Sequence, residues 1–269
     1  MTSEANGGGH VDVFKRLAAD IREKSNGRQV VYIPNPGNYG DGLIRYATKK
    51  FFQDFEIRHI EVNVGYARGR LALLPFLLSP KKYLFVYGGG GAWCVAYGFG
   101  RSIVKFISLF TRDYLVLPST YELAPAGKGG TYYRRDQTNS KALVPEAKFC
   151  HDMAIYLADK TPLFRCDPNG PTGNLFRTDR ESAKDVGRLP ADNIDISHKG
   201  NHMSNGDGFL EMVSRYSEVN TDRLHVAIAS AVAGCTVNLE GGNYFKIRAI
   251  YEASLADIFG DRIRMKTSA

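Results

Sequence analysis

The stretch TDRLHVAIASAVAG, from Thr221 to Gly234, sets an arginine and a histidine two residues apart where an apolar helix is about to begin. Arg223 offers a planar fork of N–H donors matched to carboxylate or phosphate, and His225 exchanges a proton near neutral pH. A single histidine beside an apolar helix is commonly structural, but an Arg-x-His pair at a helix start is less ordinary. A second stretch, PNPGNYGDGLIRYATKKFF (Pro34 to Phe52), runs from a glycine-rich turn straight into an amphipathic helix. The first amides of such a helix are unpaired and face any anion or polar edge brought to them. Asn38, Gly40 and Asp41 lie in this turn, and Asp41 has two readings: cap of its own helix, or base and stabiliser of a developing positive charge. A third stretch, YGGGG, places Gly88, Gly89, Gly90 and Gly91 after a strand-like run, where flexible backbone brings more amides to a ligand.

Strand-like runs precede all three stretches, and the elements between them set the fold class. VDVFKRLAADIREK places Val11, Phe14, Leu17, Ala18 and Ile21 on one face of a surface helix. RQVVYIP reads as a buried strand, and DGLIRYATKKFFQDF as a helix with Leu43, Ile44, Ala47 and Phe51 inward. YLFVY, YLVLPST and TYYRRD read as further strands, with SIVKFISLF as a helix among them. Such alternation with short connections predicts an α/β fold with a parallel sheet. From Lys160 to Gly208 the composition turns to Gly, Pro and Asn around LFRTDRESAKD, a strand heading into a helix start. FLEMVSRYSEVNTDRLHVAIASAVAGCTVNLE then reads as helix, strand, helix, strand, with Thr221 or Asp222 as a helix cap, and YFKIRAIYEASLADIF as a last helix. The expected division is therefore 1–160 and 161–269, a second α/β layer beginning near residue 160.

With 269 residues, 43% of them apolar, the chain can bury a large core. Its 35 Lys+Arg against 28 Asp+Glu, formally +7, favours an anionic partner: a phosphorylated small molecule or anionic lipid head groups. No basic block tracks a nucleic-acid backbone, so no nucleic-acid partner is expected. Cys94, Cys150, Cys166 and Cys235 are too dispersed for a disulfide framework and read as buried thiols; with MTSEANGGGH lacking an apolar signal segment, a cytoplasmic location is expected. The uncharged window Tyr83 to Gly100 has the length of a membrane span, but its four glycines argue for a strand and turn. LALLPFLL followed by Lys81 and Lys82 is either a buried helix or a site of peripheral membrane association. His198 and His202 have i, i+4 spacing, yet Gly200 and the absence of an adjacent acid argue against a metal helix, and no metal is expected. Trp93 and Tyr97 either stack on a sugar ring or pack beneath the glycine loop. His151 and Asp152, ahead of MAIYL, read as a strand-end pair that shapes the crevice without acting in catalysis.

In their order along the chain, GNYGDGLI, FVYGGGGAW, VLPST, the RRD segment, HDMAIYL, TDRLHVAIASAVAG and NYFKIRAIYE resemble the polysaccharide pyruvyl transferase family, from about Val30 to Tyr251. The resemblance implies a GT-B-like arrangement of two Rossmann-like halves. It also implies transfer of a pyruvyl group from phosphoenolpyruvate to a sugar, free or in a lipid-linked oligosaccharide, in exopolysaccharide biosynthesis, forming a ketal and releasing phosphate. By the same resemblance the enzyme works in the cytoplasm or at the inner face of the membrane, without a cofactor beyond its donor. The family's Asn-x-Gly-Asp turn falls on Asn38, Gly40 and Asp41, its glycine-rich strand end on Gly88 to Gly91, and its Arg-Leu-His signature on Arg223, Leu224 and His225. Its mid-chain Arg-acid pair falls on Arg135 and Asp136, although Ser140 stands one residue later than the family pattern and leaves Arg134 as the reserve. NYFKIR places Lys246 near the site. His225 and Asp41 are then the expected acid–base pair, with Asn38, Gly40, the four glycines, Arg135, Arg223 and Lys246 binding substrate. A nucleotide-sugar glycosyltransferase of the same fold, or a glycan-assembly protein without catalysis, are the alternatives.

Overall fold

A strand covered on both faces reads as an unbroken apolar run, and β1 (Gln29–Ile33) is buried at each of its last four residues. The structure, a computed structural model, describes residues 9–65, 69–94, 98–160, 163–179, 189–241 and 245–266. The first sheet continues with β2 (His59–Glu61), β3 (Tyr83–Tyr87), β4 (Gly90–Trp93), β5 (Tyr114–Tyr121), β6 (Thr131–Arg134) and β7 (Lys148–Phe149). Its order is β2-β1-β3-β5-β6-β7, with β4 paired to the far end of β5, and every pairing is parallel. The chain leaves β1 for β2 on one side and returns past it to β3 on the other, so the order reverses between β1 and β3. Open parallel sheets form their ligand crevice at the carboxyl ends beside such a reversal. Both glycine turns leave from there.

The second sheet is parallel too: β8 (Thr172–Asn174), β9 (Glu218–Thr221), β10 (Thr236–Glu240) and β11 (Ile263–Lys266), in the order β11-β10-β9-β8. The helices are α1 (Gly9–Ser25), α2 (Tyr39–Asp54), α3 (Leu74–Leu77), α4 (Phe99–Ile107), α5 (Asn139–Leu143), α6 (Gly206–Ser214), α7 (Leu224–Ala233), α8 (Phe245–Ile250) and α9 (Ala256–Phe259). One apolar cluster runs without a break from α1 and α2 through the 3-10 turn Met153–Asp159 to α6, α7 and the second sheet, taking in Phe14, Phe51, Leu157, Phe209, Ile228 and Leu239. A second covers the opposite face of the first sheet with Leu73, Leu77, Ile103, Val104 and Ile107. Helix α7, apolar nearly all round, is central for the reason such helices are: no side of it gains from water.

The α/β alternation is as the sequence predicts, and the departures have local causes. Val13 rather than Val11 is buried on α1, where the helix has already begun at Gly9. Helix α4 starts at Phe99, before SIVKFISLF, and leaves Leu109 and Phe110 beyond its end. The expected last helix is interrupted by a π turn, Tyr251–Leu255, and followed by β11. LFRTDRESAKD does not open on a strand: β8 ends at Asn174, and residues 180–188 lie outside the described ones. Strands of two or three residues, such as β2 and β8, are too short to show a period in sequence. Cys166 is half-buried while the other three thiols are buried, and all four are free.

His151 lies inside this core, its Nδ1 2.7 Å from Ser254 Oγ, with the rings of Phe14 and Phe149 beside it. Burial, helped by the neighbouring charge of His10, pushes its pKa down to about 4 from 6.5. The folded protein therefore binds fewer protons than the unfolded chain between those values. This contribution is fully present above pH 6.5 and is lost as the pH falls toward 4, about 3 kcal/mol in all. Urea unfolding at pH 7 and pH 4.5 should show a flatter pH dependence for His151→Gln than for wild type; equal slopes would assign the acid sensitivity to another group.

Candidate functional site

A cleft of about 610 Å³ opens where the carboxyl ends of the two sheets face one another. The turn after β1 contributes Asn35 to Asn38 and Asp41; the end of β6 contributes Arg135; the end of β9 contributes Asp222 and Arg223, with Leu224 and His225 at the start of α7. Lys246 comes from the first turn of α8, beyond β10. The turn after β1 is held in place from the second half of the chain. Asn38 bridges Asn201, His202 N donates to Gly37 O at 3.1 Å, and Tyr39 Oη donates to Asn205 O at 2.7 Å.

His225 does not stand alone. Its Nε2 faces Asp152 Oδ2 at 3.4 Å, and the same carboxylate oxygen accepts from Arg135 Nη1, while Oδ1 accepts from Ala154 N at 2.9 Å. Burial raises the pKa of Asp152, but the charges of Arg135 and His225 outweigh it and hold the carboxyl well below the usual range, so the group is ionised. A carboxylate on Nε2 favours the tautomer protonated there and leaves Nδ1 to take or give the proton. The imidazole lies against the start of α2, so that a Cβ built on Gly40 would be 2.8 Å from His225 Nδ1. Gly40 thus makes room for the histidine and is not itself among the residues lining the cleft. Asp152, read from sequence as shaping the crevice only, is the group that orients His225.

The second guanidinium nitrogen of Arg135 is turned to the glycines. A Cβ on Gly91 would lie 3.3 Å from Lys246 Nζ and 3.8 Å from Arg135 Nη2, so two cations from opposite sheets converge on one point of backbone. Arg135 Nε donates to Thr120 Oγ1 at 2.9 Å. Arg134 turns away, bonding Ala147 O and Gln137 Oε1, which resolves the choice between the two arginines. Asp136 faces Ser140, whose N and Oγ both donate to it.

Arg223 is not the open fork expected of it. Its Nη2 donates to Asp179 Oδ2 at 2.8 Å and Asp195 Oδ2 at 2.5 Å, whereas its buried Nε has no partner among the described residues. Arg177 grips Asp179 from the other side with Nε and Nη2, at 2.8 and 3.2 Å. Arg177, Asp179, Ser197, His198 and Asp222 all line the cleft, and none was singled out from sequence as a site residue. Nothing in the local pattern of 177–179 marks them, since β8 ends short of them. Asp222 does not cap α7 with its side chain: Oδ1 accepts from Arg177 N at 2.8 Å, and Thr221 Oγ1 accepts from Arg223 N at 3.0 Å. The N-cap residue of α7 is Arg223, without a side-chain cap, which leaves the first amides of the helix at the cleft.

Asp41 closes a capping box on α2: its Oδ2 accepts from Asn38 N at 3.1 Å, its Oδ1 from Asn35 Nδ2 at 2.8 Å, and Asn38 Oδ1 accepts from Gly40 N at 2.8 Å. The capping reading of Asp41 is therefore the one its contacts support. Of the four glycines only Gly91 lines the cleft. Gly88 N donates to Ile33 O at 2.7 Å, a Cβ on Gly89 would come 2.1 Å from Pro118 O, and Gly90 has φ +107°, so these three serve the turn and its packing. Trp93 is fully buried against Tyr121 and Tyr132 and packs beneath the loop; Tyr97 lies outside the described residues. His198 sits in the cleft near Asp195, His202 faces Asn63 elsewhere, and among the described residues no cluster of metal-ligating side chains occurs.

The chain shares its fold with an uncharacterized protein from Klebsiella pneumoniae subsp. pneumoniae. That crystal structure superposes with a TM-score of 0.74 over 96% of this chain and 99% of the other, at 23% identity. No family model and no curated protein matches the sequence. Among the described residues, no helix is long and apolar enough to cross a membrane.

Proposed function

We propose that the protein is a pyruvyl transferase that moves a pyruvyl group from phosphoenolpyruvate to a sugar of a cell-surface or exported polysaccharide, its two sheets forming the halves of a GT-B-like enzyme. The observation that carries this reading is the convergence of Arg135 and Lys246 on Gly91, in the cleft that also holds His225. Phosphoenolpyruvate carries two anionic groups, a carboxylate and a phosphate. Two cations and the uncapped start of α7 suit them.

In the reaction a proton adds to the terminal methylene, and a sugar hydroxyl adds to the cationic central carbon. Phosphate then leaves as the second hydroxyl adds. The two protons released by the hydroxyls balance the one taken up by carbon and the one that departs with phosphate. His225, oriented by Asp152, carries the proton at Nδ1. Asp41, held in its capping box, stabilises positive charge across the cleft and is not the base. Phosphoenolpyruvate is itself the activated donor, so the chemistry requires no separate cofactor. A lipid-linked oligosaccharide acceptor would set the enzyme to work at the inner face of the membrane.

Thermal unfolding in the presence of phosphoenolpyruvate or of common sugar nucleotides tests the reading, because a ligand of the native state raises the melting temperature by mass action. Stabilisation by phosphoenolpyruvate is expected; stabilisation by a sugar nucleotide alone would make the protein a glycosyltransferase. Arg223→Lys keeps the charge but loses the planar guanidinium that Asp179 and Asp195 hold at the cleft, and should weaken phosphoenolpyruvate binding about tenfold or more. Unchanged affinity in that variant moves the anion site away from Arg223.

A further inference from the structure

Between Glu61 and Asp113 the chain contains no Asp or Glu and seven Lys or Arg. Much of this segment forms the layer of α3 and α4 over the outer face of the first sheet. Leu73 and Leu77 on one arm and Ile103, Val104 and Ile107 on the other are buried together beneath it, and Arg70 Nη1 reaches Ser102 Oγ at 3.4 Å to join the arms. Apolar side chains also point outward: Leu71 is 59% exposed, Leu78 74%, Leu109 74% and Phe110 38%. Around them Arg70, Lys81, Lys82, Arg101 and Lys105 are exposed, and every exposed described residue from Gly69 to Phe110 is basic, apolar or glycine.

We propose that this face docks the protein onto an anionic lipid bilayer. A single-sign surface recognises negative charge, and the long stems of Lys and Arg let apolar side chains between them enter the headgroup layer while the cations stay with the phosphates. The apolar groups stand in ones and twos among the cations on two short arms, an arrangement that a fluid interface accommodates more readily than a shaped protein partner does. Helix α4 links this face to the cleft: Gly98 and Phe99 line the cleft, and Arg101 and Lys105 project outward one and two turns on. A docked molecule holds its cleft beside the membrane surface. The docking does not depend on the reaction assigned to the cleft.

Co-sedimentation with vesicles of phosphatidylcholine, alone or mixed with phosphatidylglycerol, tests the proposal without any substrate. Wild type should partition to the mixed vesicles only, and less so at high salt. Lys81→Ala with Lys82→Ala should lower that partition about 30-fold. Leu71→Ser with Leu78→Ser, which leaves the charge untouched, should lower it several-fold. Lys49→Ala with Lys50→Ala, a matched loss of charge on α2, should matter little. Failure of wild type to bind the mixed vesicles overturns the proposal. So does an equal loss in the α2 pair, which reduces the effect to overall charge, or an unchanged partition in the leucine pair, which points to an acidic protein partner. Circular dichroism melting of each variant separates loss of binding from loss of fold.

Discussion

His225→Asn is expected to lower phosphate release from phosphoenolpyruvate, with a competent sugar acceptor, by about 10²–10⁴-fold, while the donor still binds and the fold persists. Asparagine is smaller than imidazole, so the close packing against Gly40 is not violated. Its amide reaches only as far as Nδ1 does, so the contact of Nε2 with Asp152 is given up, while Arg135 and Ala154 N still hold that carboxylate. What asparagine lacks is an imidazole nitrogen that can act in turn as acid and as base. The melting temperature and the rate of phosphate release are measured on the same preparation. A variant that melts early yet turns over normally per folded molecule would make His225 a structural residue at the start of α7.

Arg135→Ala should lower stability by about 3–5 kcal/mol in urea unfolding at pH 7 and also abolish tight binding of phosphoenolpyruvate. Arg135 is 1% exposed and Asp152 fully buried, so deleting the guanidinium leaves a carboxylate whose remaining partners are Ala154 N and His225. The sign of its pH dependence follows. In wild type the carboxyl of Asp152 is held low by Arg135 and His225 against burial, so its contribution is present above the ordinary carboxylate value of 3.8 and is lost on acidification through its folded value. In the variant the carboxyl is protonated more readily, which removes the unpaired charge. The stability gap between the two proteins should therefore narrow from pH 7 to pH 4. A gap that is small at pH 7, or constant with pH, would mean that Asp152 is compensated by something other than Arg135. Arg134→Ala is the matched control, since that side chain bonds Ala147 O and Gln137 Oε1 away from the cleft, and donor affinity should survive it.

The alternation of strands and helices, the glycine turns after β1 and β3, and the arginine and histidine at the start of α7 are legible in the amino-acid order. Each rests on interactions between neighbours in the chain: periodic burial, backbone freedom and helix-start chemistry. The choice between the two readings of Asp41 was undecidable at that level, because a capping carboxylate and a ligand-facing one share the same sequence, and only the positions of Asn35 Nδ2 and Asn38 N show its oxygens engaged. The partner of His225 was out of reach for a related reason. Asp152 lies 73 residues away and meets it only because α7 packs on the turn that begins at Met153. The same holds for the grip of Asp179 and Asp195 on Arg223, made by loops with no periodic signal. Which of two adjacent arginines enters the cleft depends on where β6 ends, and which leucines of LALLPFLL face outward depends on where α3 lies against the sheet. Local order thus determined the elements and the types of group at their ends; long-range packing alone decided which of those groups are paired, and so which remain open to a ligand.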